Sequence, residues 1–191
     1  MPVLPLVIAP DERLNQSSER IESITPAIKQ LAADMLETMY ANNGIGLAAV
    51  QVGVHKRMIV VDVDWPSPRY DNDDTPRERK PLVLINPEII EESDEQHLFN
   101  EGCLSFPDQY SEVERPAEAT IRYTDLDGKS NTVRARGLMA TCIQHEIDHI
   151  NGIVFVDHVS KLKREMILKK LAKQKKLGTV PVVPQEQGAP L

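Results

Sequence analysis

Cysteine is scarce in this chain: Cys103 and Cys142 are the only two among 191 residues. Two thiols are too few for a disulfide framework, so both are expected to be free, in a reducing, cytosolic setting. Long apolar runs are missing as well. The longest near the start, Val3 to Ala9, is interrupted by Pro5, preceded by no basic residue and closed by Pro10-Asp11-Glu12. It is too short to span a membrane and lacks the flanks of a secretory leader. An extended segment packed on the domain is the expectation. Positive charge is in deficit, with 22 Lys and Arg against 29 Asp and Glu, a net charge of -7 and a sequence pI near 5.3. The average surface should repel DNA and anionic membrane. There is no internal repeat.

What remains is ordinary globular material, 41% hydrophobic and 27% charged. At roughly 100 to 200 residues per domain, the length predicts one compact domain, residues 1–177, and the Pro- and Gln-bearing stretch that follows predicts a flexible C-terminal tail over 178–191. A chain of this size buries roughly 70% of the surface exposed when unfolded and needs no staple. Apolar residues at helical spacing (Ile28, Leu31, Met35, Leu36, Met39) predict a helix from Pro26 to Asn42, capped by Thr25 and stopped at Asn43-Gly44. Strands are expected at Arg57–Val63, Pro81–Asn86, Ser111–Glu114, Ala119–Tyr123 and Asn131–Ala135, with a turn at Asp127-Gly128 and an exposed proline-bearing loop from Trp65 to Lys80. Two further helices are expected, Leu138–His149 and about His158–Leu177.

The most specific local pattern is His145-Glu146-Ile147-Asp148-His149, an H-E-x-x-H. On a helix, residues four apart share a face, so both imidazoles can reach one divalent metal, while Glu146 lies beside that face as a general base. Leu138, Met139, Ile143, Ile147 and Ile150 make the helix apolar on most sides, and burying two unpartnered histidines would be costly without a metal. A third ligand is not obvious. The position six residues after His149 is Phe155, and Glu165 sits in a Lys-rich segment. His55, His97 and His158 are isolated and read as ordinary surface or capping residues. Cys103, in Glu101-Gly102-Cys103-Leu104-Ser105-Phe106-Pro107, is a candidate ligand or a buried core thiol, with Pro107 ending the extended run. Cys142, one turn before His145, reads as pocket wall or core. Glu101, two residues from Cys103, can orient a ligand histidine. In Gly44 to Gly53 the glycines let backbone approach a ligand, and Gln51 is an isolated amide donor; without a Lys-Ser/Thr pair, this is no phosphate loop.

Taken together, Gly44–Gly53, Glu101–Pro107 and Gln144–Gly152 resemble, in order, the three signature segments of the peptide deformylases. The resemblance runs to about Leu177 and is to the bacterial form ending in a helix. It implies an α+β fold, with mixed or antiparallel strands packed around the central H-E-x-x-H helix, and removal of the formyl group from the initiator methionine of nascent chains in the bacterial cytoplasm. Cys103, His145 and His149 would hold Fe2+, for which Zn2+, Ni2+ or Co2+ can substitute. Glu146 would be the acid/base, and the Gln51 amide and the Leu104 N–H would bind the oxyanion. Ile45, Gly46 and Gly102 would line the peptide cleft, and Cys142 would border the pocket for the methionine side chain. Val50, Phe106 and Tyr110 depart from residues frequent at those positions in the family.

Two rival readings are a metallopeptidase cutting internal bonds, which lacks a downstream third ligand, and a non-catalytic metal-stabilised module, which would want four ligands. Lys161 to Lys176 carries eight basic residues and one acid, so this segment is +7 and the remainder -14. It reads as a helix docked through Leu162, Met166 and Leu171, or as a contact with ribosomal RNA, which the family resemblance supports.

Overall fold

In the computed structural model, which describes residues 2–65 and 78–179, Thr25 starts the first helix, α1 (Pro26–Ala41): its Oγ1 accepts from the Ile28 N–H at 3.3 Å. The helix stops at Asn42, and Asn43 takes a left-handed φ of 53°. Seven strands follow: β1 (Gly46–Ala48), β2 (Met58–Val61), β3 (Leu82–Glu92), β4 (Gln96–Cys103), β5 (Phe106–Pro116), β6 (Glu118–Thr124) and β7 (Ser130–Arg136). Helices α2 (Gly137–Ile150) and α3 (Lys161–Lys176) complete the described elements, with 3₁₀ turns at Glu12–Asn15, Ala49–Val52 and Phe155–His158.

The strands form a five-stranded sheet in the order β1-β2-β3-β6-β7 and a separate β4-β5 hairpin, antiparallel throughout. Strand β2 is buried on both faces. Ile59 and Val61 pack with Ala140, Ile143, Ile147 and Ile150 of α2, whereas Met58 and Val60 pack with Met35 and Met39 of α1. This explains the unbroken apolar run at 58–61, because a strand covered on both sides has no polar face to alternate with. The third core, under α3, gathers Phe106, Val113, Phe155, Ile167 and Leu171.

Three expectations need correction. Strand β3 does not stop at Asn86: that residue takes φ 50° in a register shift between Ile85 and Glu88, so the chain bulges and continues to Glu92. Nor does Pro107 end the extended run. The hairpin turns at Leu104-Ser105, Cys103 pairs with Phe106, and the shift to Gly102 opposite Tyr110 leaves Pro107, Asp108 (φ 56°) and Gln109 in a bulge, where a missing ladder donor costs nothing. On α3, Leu171 docks as expected, but Leu162 and Met166 are exposed at 72% and 63%; Ile167 makes the second inward contact.

The N-terminal segment is extended and packed, as expected. Val7 and Ala9 are buried, and their N–H groups donate to Gln51 O at 2.8 Å and Ser105 O at 2.9 Å. Residues 66–77 of the Trp65–Lys80 loop, and the tail beyond Thr179, lie outside the described residues. Among those described, no helix is long and apolar enough to cross a membrane.

Ile143 is fully buried between α2 and the sheet. Ile143→Ala is expected to lower unfolding stability by about 2–5 kcal/mol, read from urea denaturation, because the packed neighbours cannot collapse into the void.

Candidate metal centre

Helix α2 presents two faces. Ile143, Ile147 and Ile150 meet the sheet, His145 and His149 turn toward the β4-β5 hairpin, and Cys142 and Glu146 lie between the two, against Gly46 of β1. Cys103, the last residue of β4, meets them there. One ligand atom from each of Cys103, His145 and His149 lies within 4.8 Å of the others, and all three residues are buried. The distance from Cys103 Sγ to His149 Nε2 is 3.1 Å. Glu101 does reach a ligand-candidate histidine: His145 Nδ1 lies 2.8 Å from its Oε2, which leaves Nε2 as the ring nitrogen free for another partner. Glu165 does not belong to this group.

The donor set tests what the site can hold. A thiolate with two imidazoles suits a divalent transition metal and not Mg2+ or Ca2+, which want oxygen. One buried polar atom beside it, Glu146 Oε2, has no hydrogen-bond partner among the described residues, so the pocket is not closed by its own side chains. The residues therefore fit a metal with an adjacent, unsatisfied carboxylate.

The electrostatics follow from burial. Desolvation pushes the Glu146 carboxyl up to about 7. At Glu101 burial acts the same way but is outweighed by hydrogen bonds from His145 and Arg115, which hold its carboxyl at about 2. Burial, with the Glu146 charge nearby, pushes the Cys142 thiol up, so it stays neutral.

A single cleft is lined by Ile45, Gly46, Gln51, Gly102, Cys103, Leu104, Cys142, His145 and Glu146, which brings together every expected site residue except His149, fully buried beneath it. The Gln51 amide is held at both ends. Its Oε1 accepts from the Ala48 N–H at 2.7 Å, and its Nε2 lies 3.4 Å from Cys103 Sγ and 3.2 Å from Ser105 Oγ. At Gly46 a Cβ would sit 2.6 Å from Glu146 Oε1 and 2.7 Å from Cys142 Sγ, so close approach requires glycine there. Gly102 lies under the Tyr110 ring, 2.6 Å from where its Cβ would be.

Sequence reasoning missed several neighbours. Phe99, Asn100, Leu138 and Thr141 also line the cleft. Arg115 and Asp148 stand behind it: Arg115 donates to both Glu101 and Asp148. His158 is not isolated, since its Nε2 lies 2.7 Å from Asp148 Oδ2. Arg115 had a legible signal, because it shares the inward parity of Ser111 and Val113 on β5, and a charge at such a position needs a buried partner.

Comparison with known proteins agrees with this geometry. A family model described as polypeptide deformylase matches residues 3–165. The peptide deformylase of Agrobacterium fabrum is 52% identical over 173 residues, covering 91% of this chain and 96% of that protein. The crystal structure of peptide deformylase from Ehrlichia chaffeensis in complex with actinonin is 42% identical, covers 92% of this chain and 99% of that one, and superposes with a TM-score of 0.84. A Met-Ala-Ser-bound peptide deformylase from Acinetobacter baumannii is 38% identical, with a TM-score of 0.75 over 82% of this chain and 98% of that one. This chain belongs to the peptide deformylase family, metal-dependent amide hydrolases that remove the formyl group from the N-terminal formyl-methionine of newly made polypeptides.

Proposed function

We propose that Cys103, His145 and His149 hold one Fe2+ and that this chain hydrolyses the formyl amide of N-formylmethionyl nascent peptides beside it. The observation that carries the reading is the convergence of those three ligand atoms within 4.8 Å, next to the unpartnered Glu146 carboxylate oxygen. When bound, the ion supplies a Lewis acid that polarises the formyl carbonyl and acidifies water. Zn2+, Ni2+ or Co2+ fit the same donors; Fe2+ is the choice that the family resemblance favours.

The chain's own residues do the rest. Glu146, its carboxyl raised by burial, takes a proton from the attacking water and returns it to the departing amine. The Gln51 amide, oriented by Ala48, and the Leu104 N–H donate to the oxyanion of the tetrahedral intermediate. Ile45, Gly46 and Gly102 line the peptide cleft, and neutral Cys142 borders the pocket for the methionine side chain. The formyl carbon bears only hydrogen, so close approach of Gly46, Cys142 and Glu146 supports rejection of the bulkier acetyl group.

Residues 1–177 are the catalytic unit in this reading. A cytoplasmic location is supported by two free thiols. The outward lysines of α3, together with exposed Leu162 and Met166, support a contact with the ribosome.

Formate release from formyl-Met-Ala-Ser by anaerobically purified, iron-loaded protein tests the reaction. Glu146→Gln should lower kcat by roughly 10²- to 10⁴-fold while keeping stoichiometric metal, and acetyl-Met-Ala-Ser should stay intact. An active Glu146→Gln protein would refute the assigned base. Gly46→Ala should fold normally yet lose about 100-fold in kcat/KM, because its methyl displaces Glu146 and Cys142. Reversing Lys169, Lys170 and Lys173 to Glu should abolish cosedimentation with ribosomes at low salt without changing formate release, and wild-type binding should weaken steeply as salt rises.

A further inference from the structure

Arg115 and Asp148 take no part in the chemistry above, yet they stand directly behind it. Arg115 is on β5 and only 5% exposed. Its guanidinium forms a fork on Glu101, Nε to Oε1 and Nη2 to Oε2 at 3.1 Å, and its Nη1 donates to Asp148 Oδ2 at 2.8 Å. Glu101 lies on β4, two residues before Cys103, and Asp148 lies on α2, next to His149. Asp148 Oδ2 also meets His158 Nε2 at 2.7 Å. One planar cation therefore touches both elements that supply the candidate ligands: the strand bearing the thiol and the helix bearing the imidazoles.

Stability is a weak reason for such an arrangement. Burying an arginine between two carboxylates costs desolvation of all three, and apolar replacements of similar volume are often as stable. Its position offers a better reason. Besides the bonds through Glu101, Arg115 and Cys103 itself, one described hydrogen bond ties the β4-β5 hairpin to α2, from Gln144 Nε2 to Pro116 O at 3.0 Å, and it leaves β4 itself untouched.

We propose that Arg115 is a positioning residue for the metal centre. By gripping Glu101 and Asp148 together, it sets the separation of Cys103 from the His145–His149 pair and fixes the plane of the carboxylate that selects the His145 tautomer. The inference rests on the reading of Cys103, His145 and His149 as ligands. Arginine suits the task because three N–H groups in one rigid plane reach two carboxylates; a lysine carries the charge without the fork.

Four full-length variants test it: Arg115→Gln, Arg115→Lys, Asp148→Asn and, as a control, Arg57→Gln, which removes a 2.8 Å bond to Asn151 at the end of α2. The readouts are Co2+ affinity by competition with a chromophoric chelator, the absorption spectrum of the Co2+ protein, and thermal unfolding of the metal-free protein. Arg115→Gln is expected to weaken Co2+ binding about 10- to 100-fold and to shift the thiolate-to-cobalt and d–d bands. Arg115→Lys and Asp148→Asn should shift affinity and spectrum in the same direction by less, and Arg57→Gln should leave both unchanged whatever its unfolding temperature.

An Arg115→Gln protein that is folded but binds Co2+ with wild-type affinity and spectrum would overturn the proposal. So would an Arg57→Gln protein that loses as much affinity. If Arg115→Gln does not fold, Arg115→Lys and Asp148→Asn decide by the same criterion. Wild-type protein that takes up no stoichiometric Co2+, or takes it without a thiolate band, would overturn the ligand reading itself and the brace with it.

Discussion

The burial of the His145–Glu146–His149 face against the Cys103 thiol is the constraint on which the rest of this structure depends. Water is the usual solvent for imidazoles and carboxylates, and here the fold replaces it with a closed set of partners. The replacement is uneven. Glu101 and Arg115 are satisfied in a mutual fork, whereas Glu146 keeps a carboxylate oxygen without a partner among the described residues. The supporting groups are locked and one carboxylate oxygen is left open, as a site needs if it is to accept something from outside the chain.

Three segments distant in sequence have to meet for that to happen, and each arrives by a different local device. The α2 ligand candidates are brought by helical periodicity alone. Cys103 is placed by the tight turn at Leu104-Ser105 and by the bulge beyond it, which ends β4 against the helix. Gln51 comes from the 3₁₀ turn after β1, and the extended N-terminal segment ties that turn to the hairpin through Val7 N–H to Gln51 O and Ala9 N–H to Ser105 O. The short apolar stretch at the start of the chain is thus a strap across two of the three site segments.

Legibility in the sequence followed locality. The H-E-x-x-H pair and α1 could be read because a helix repeats within a few residues, and both caps of α1 are encoded beside it. The β4-β5 hairpin was harder: Pro107 looks like a terminator, and only pairing across the hairpin shows that the bulge absorbs it. Asn86 misled in the same way. On α3 two apolar stripes compete, Leu162 with Met166 and Ile167 with Leu171; periodicity detects both, and only the packing under Phe106 and Phe155 selects the second. Arg115 was within reach of a parity argument, but its two partners lie on different elements and could not be named from the strand alone.

Burial also bears on the proposed role of Glu146 as acid and base in turn. A carboxyl in water near pH 7 is almost wholly ionised, so it accepts a proton poorly and has none to give. Desolvation lifts Glu146 to about 7, where both forms are accessible, and the same desolvation would lift Glu101 as well. Two carboxylates in one buried site are therefore treated oppositely: Glu146 is raised, as the proposed proton transfer needs, and Glu101 is held ionised against His145. Hydrogen bonds from His145 and Arg115 make that difference at Glu101, and nothing among the described side chains makes them at Glu146 Oε2. The difference between the two carboxylates thus depends less on the carboxylates themselves than on where the buried Arg115 guanidinium points.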